Sequence, residues 1–119
     1  MATTLNLRNP CIITPLNENS IEKMLRGEYD NLEVNVYSLS RKKLYEIFST
    51  GFFEHLNKKY GLQITDFEQE EIKNLEQIKL ILNEDIKLFK DLRNISFWKN
   101  LERSLALAIA KKTAIIFYF

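Results

Sequence analysis

A chain of 119 residues, 45% hydrophobic and 28% charged, is long enough for one core and reads as a single domain over 1–119. Seventeen basic against sixteen acidic side chains leave a formal charge of +1, which excludes attraction to a polyanion by net charge and leaves only local asymmetry to steer a partner. One cysteine, Cys11, excludes an internal disulfide, and three glycines in all make a phosphate-cradling loop improbable.

Cys11 stands in an apolar run, "CII", with no neighbouring cation to activate it, so a buried reduced thiol is expected. The apolar runs "LALAIA" (105–110) and "AIIFYF" (114–119) are far short of the ~20 residues of a spanning helix, so no membrane is expected as partner. "MATTLNLRNP" has no basic segment followed by an apolar one, hence no signal peptide and a cytoplasmic location are expected.

In chain order, Leu5 and Leu7 flank Asn6, and "CIIT" follows Asn9-Pro10. Two prolines among β-branched residues predict short strands at a sheet edge. Ser20 is placed to cap a short helix, "IEKMLR", closed by Gly27, and Asp30-Asn31 marks a turn. In "LEVNVYSL" the residues Leu32, Val34 and Val36 alternate with Glu33, Asn35 and Tyr37, which predicts a half-buried strand. From Ser40 the period becomes helical. Leu44, Ile47 and Phe48, then Phe52, Leu56 and Tyr60, predict two short helices broken near Gly51.

Ile72, Leu75, Ile78, Leu82, Ile86, Phe89 and Leu92 keep one face apolar and predict a long helix, which "NED" (83–85) could divide. Ser96 is placed to cap a last helix carrying Trp98, Leu101, Leu105, Ala108 and Ile109. "TAIIFYF" ends the chain as a strand apolar on both faces, to be covered on both sides. The fold class expected is α+β: a small, mostly antiparallel sheet from the N-terminal third and the C-terminal strand, packed against a helical middle region.

Three candidate sites stand out. In "ITDFEQEEIKNLEQ" (64–77), Thr65 and Glu68 fit a capping box that opens the long helix. Asp66, Glu68, Glu70, Glu71 and Glu76 make an acidic helix face for a protein partner; capping explains Asp66 and Glu68, while Glu70, Glu71 and Glu76 exceed what local structure requires. Arg41, Lys42 and Lys43 follow the cap at Ser40, where cations oppose the helix dipole. They form the alternative anion-binding patch of a nucleic-acid regulator, joined by Lys58, Lys59, Lys111 and Lys112 if these share a face. His55, the only imidazole, with Glu68 or Glu71 is the alternative of a small metal-dependent enzyme. No catalytic or metal motif is present in the sequence, so the expectation is no enzyme and no cofactor.

"GFFEHLNKKYGLQITDFEQEEI" (51–72) resembles a stretch of some small bacterial immunity proteins, the antidotes of contact-dependent and related polymorphic toxins. The resemblance is carried by the Gly51-aromatic start, the Leu56-Asn57 pair, the step through Ile64, Asp66 and Phe67, and the glutamates that follow. It implies a non-enzymatic protein that binds a cognate toxin domain and occludes it.

Overall fold

Ala114 to Phe117 offer apolar side chains to both faces of any strand they form, so that strand is stable only where both faces are covered. A computed structural model describes residues 9–119. In it β1 (Cys11–Pro15), β2 (Val34–Ser38), β3 (Gln69–Ile72) and β4 (Ile115–Tyr118) make one sheet in the order β2-β1-β4-β3, every neighbouring pair antiparallel. The helices are α1 (Glu18–Leu25), α2 (Arg41–Ser49), α3 (Phe52–Tyr60), α4 (Leu75–Leu80), α5 (Ile86–Phe89) and α6 (Ile95–Lys111). The class is α+β. Leu5 and Leu7 lie outside the described residues.

The register sorts the side chains into two layers. Tyr37, Ile12, Phe117 and Glu70 stand opposite one another across the four strands, and the next row is Val36, Ile13, Ile116 and Glu71. Successive rows face opposite sides of a sheet. The first layer, with Ile12, Ile115 and Phe117, meets the core built by α2 to α6. The second, with Cys11, Ile13 and Ile116, meets Met24 of α1 and Leu32. Cys11 is 2% exposed, and burial pushes its thiol pKa up to about 11, which leaves it an unreactive core residue.

β1 is central rather than at an edge. Its prolines sit at the margins, Pro10 before the strand and Pro15 as its last residue, so neither interrupts the ladder at Ile12, Ile13 and Thr14. α1 starts one turn earlier than expected. Asn17 is its cap and accepts from the Ser20 amide, which frees the Ser20 hydroxyl to accept from the Glu33 amide and brace the turn before β2. Ser40 does cap α2, accepting from the Lys43 amide. Gly51, at φ 85°, supplies the left-handed residue that lets α3 start at a new angle.

The largest departure lies between Thr65 and Leu92. No capping box forms at Thr65: residues 66–68 turn and Gln69–Ile72 pair with β4 instead. A central strand with an unpaired edge would leave backbone donors and acceptors unmet, and that demand overrides the local helical signal. The helix begins at Leu75, where the Asn74 side chain accepts from the Glu76 and Gln77 amides. Within it a π-helical turn, Ile81–Asp85, shifts the phase of the apolar stripe. Ile81 and Asp85 turn inward, and Leu92, past the helix, is 89% exposed. Helix α6 is preceded by Asn94 rather than capped by Ser96. Asp91 accepts from both the Asn94 amide and the Trp98 indole N–H.

The neighbouring aromatics divide between elements. Phe52 packs edge-on against Trp98, with ring centroids 5.0 Å apart, while Phe53 meets Phe48, Phe97, Phe117 and Phe119 at 4.7–6.5 Å. Phe53 thereby joins α2, α6 and the sheet in one cluster. Phe53→Ala should lower unfolding free energy by about 3–5 kcal/mol, measured by urea denaturation. A loss below about 1 kcal/mol would show that the cluster does not carry the fold.

Candidate functional site

The five acids expected on one helix face are dispersed. Asp66 and Glu68 lie in the turn before β3, Glu70 and Glu71 on opposite faces of β3, and Glu76 in the first turn of α4 beside Lys79, at 3.3 Å. Of the five, Glu70 and Glu71 lie on the outer margin of the sheet, since β3 is an edge strand. Two of them serve the fold. The Glu70 carboxylate accepts from the Gln63 amide at 2.6 Å and the Glu71 amide at 3.1 Å, so a side chain meets two backbone donors at this edge. Glu71 stands in the row of Ile116 and Ile13, with one oxygen 3.4 Å from Lys73 Nζ and the other buried without a hydrogen-bond partner. Asp66, Glu68 and Glu76 are the acids left to face a partner.

Beside this edge lies a groove of about 450 Å³. Tyr45 and Phe48 line it from α2, Glu54 and Asn57 from α3, and Ile64, Thr65, Asp66 and Phe67 from the loop. The loop is braced. Asn57 exchanges two hydrogen bonds with the backbone of Ile64, at 3.0 and 2.8 Å, and Arg41 donates to the backbone oxygens of Asp66 and Phe119, at 2.9 and 3.0 Å. Phe67, on the braced loop, is 75% exposed and Tyr45, on α2, is 50% exposed at the rim, while the Thr65 hydroxyl oxygen is buried with no partner. Sequence periodicity hid this site, because a helix through 65–72 would have turned Phe67 elsewhere.

The basic cluster is partly spent inside the molecule. Arg41 holds the loop, and Lys43 donates to Glu46 and Asn94, both at 2.8 Å; only Lys42 of the three is an exposed side chain without a described contact. Lys58 pairs with Glu54 at 3.1 Å and Lys59 with Asp85 at 2.9 Å.

His55 meets neither Glu68 nor Glu71. Its Nε2 is 2.8 Å from Oδ1 of Asp85, a residue 1% exposed at the end of the π-helical turn. Lys59 donates to the same oxygen and the Tyr60 hydroxyl to the other. Burial opposes ionisation of Asp85, but donation from Tyr60, His55 and Lys59 outweighs it and holds the carboxyl below its ordinary pKa. The Tyr60 hydroxyl is raised, first by burial and then by Asp85, and Lys59 is raised chiefly by its bond to Asp85. The network ties α3 to the π-helical turn. Sequence reading missed it because Asp85 belongs to "NED" (83–85), which reads as a break in the helix rather than as part of its buried face. Among the described residues no three His, Cys, Asp or Glu side chains are grouped to hold a metal ion, and no helix is long and apolar enough to cross a membrane.

No family model, curated protein or solved structure matches the chain. What it does has to be read from its own surfaces.

Glu70→Ala removes two charge-assisted bonds and should cost about 1–3 kcal/mol, whereas Glu68→Ala should stay within about 0.5 kcal/mol of the parent. Equal denaturation midpoints for the two variants would remove the edge role of Glu70. For Asp85, a depressed folded pKa means stability that is present above the ordinary carboxylate value and lost as pH falls through the lower folded one. Asp85→Asn should therefore be less stable at pH 7 by about 1–3 kcal/mol. That gap should narrow below about pH 4, measured by urea midpoints at several pH values. A gap independent of pH would show that the charge contributes nothing.

Proposed function

We propose that the protein is a non-enzymatic binding module that occludes a cognate protein partner, of the kind the resemblance to bacterial immunity proteins implies. A single observation carries the reading: exposed Phe67 and Tyr45 stand on a braced margin beside Asp66 and Glu68, with Glu76 on the following helix. Aromatic anchors ringed by polar and charged groups are the usual composition of a protein interface. Carboxylates at such a margin favour a partner with a cationic face and speed its approach. A toxin domain with a cationic active site is the partner that this reading favours.

The two competing readings draw less support. Binding of nucleic acid through Arg41, Lys42 and Lys43 would compete with the internal contacts of Arg41 and Lys43. Chemistry at His55 would have to draw on a carboxylate that already serves Lys59 and Tyr60.

The test begins with affinity capture from the native host, followed by calorimetric titration of the captured protein. A one-to-one complex is expected, weakening as salt rises. Glu68→Lys with Glu76→Lys should weaken it at least tenfold, about 1.4 kcal/mol, while leaving the melting temperature nearly unchanged. Affinity indifferent to both salt and the charge reversals would overturn the proposal.

A further inference from the structure

The lining of the groove names the group it suits. We infer that the groove between α2, α3 and residues 64–67 is a socket for an arginine side chain presented by a protein partner. The inference rests on the protein-binding reading and specifies its central contact.

Tyr45, Phe48 and Phe67 give aromatic surface, and Ile64, 2% exposed, adds an apolar floor. Glu54 and Asp66 bring two carboxylates into the same lining. A guanidinium meets all three features at once. Its plane stacks on an aromatic face, its forked N–H donors reach carboxylate oxygens, and its methylene stem covers apolar surface. A wholly apolar side chain would strip water from two carboxylates and return nothing to them. A lysine ammonium lacks both the fork and the stacking plane.

The charge balance agrees. Among the described residues no cation lines the groove: Arg41 is held by the backbone oxygens of Asp66 and Phe119, and Lys58 meets Glu54 only as an exposed pair that an incoming guanidinium can replace. The loop is already fixed by Asn57, Arg41 and Glu70, so little ordering remains to oppose binding.

The probe is the tripeptide acetyl-Gly-Arg-Gly-amide, titrated into the 15N-labelled full chain and followed by amide chemical shifts. Its citrulline counterpart has the same shape without the charge, and its lysine counterpart has charge without the fork. Saturable shifts at Thr65, Asp66 and Phe67 are expected with arginine, at least fivefold weaker binding with lysine, and none with citrulline. Asp66→Asn, Glu54→Gln and Phe67→Ala should each weaken arginine binding at least fivefold while leaving distant amide signals in place. Equal response to arginine and citrulline, lysine binding as tightly, or shifts confined to 68–76 would overturn the socket. The captured partner separates the two proposals. A complex weakened by Glu68→Lys with Glu76→Lys but indifferent to Asp66→Asn and Phe67→Ala overturns the socket alone; indifference to all four overturns both.

Discussion

The rest of the structure depends on β4 being apolar on both faces. Ile115 and Phe117 require the helical layer on one side, and Ile116 requires α1 and the 32–34 segment on the other. Because the strand is central, both its edges must also be paired, by β1 and by β3. The second demand converts Gln69–Ile72 from a helix start into a strand. Every later feature of the acidic segment follows from that conversion. The turn at 66–68 exposes Phe67, Asn74 replaces Thr65 as the helix cap, and the Thr65 hydroxyl is left buried without a partner.

Most of the fold was legible wherever side-chain period and solvent exposure agree. The break at Gly51, the cap at Ser40 and the burial of β4 all follow from local pattern, but the expected alternation in β2 holds only at Val34, since Val36 is exposed and Tyr37 packs against Phe97 and the core. Local pattern failed where a distant strand made the stronger demand. Residues 65–72 carry a good capping box and a helical spacing that continues into the next element, and nothing in them announces an edge to be filled. The π-helical turn was equally hidden, since one residue's change of phase leaves the apolar spacing almost unaltered while moving Asp85 into the interior.

The candidate site shows the same division. That the acids near Glu70 lie at the surface was legible; their separation into different roles was not. Glu70 closes a strand edge and Glu71 lies over the second layer, whereas Asp66 shares a groove with Phe67 and Glu54. His55 stands out in the sequence as the only imidazole, yet its partner Asp85 lies thirty positions away and is brought to it only by the packing of α3 against the π-helical turn.

The strand order also has a consequence for how the chain comes to be folded in a cell. β1 and β4 are adjacent at the centre of the sheet, although they come from opposite ends of the described sequence. Closing so long a loop is entropically costly and slow, and it waits on synthesis of the later strand. Until Ile115–Tyr118 has left the ribosome, Ile12 and Ile13 have no neighbour on that side, and the helical middle can only collapse around an unfinished sheet. The pairing that completes the centre of the sheet is therefore a late step of folding, and β1 waits for it with one edge open.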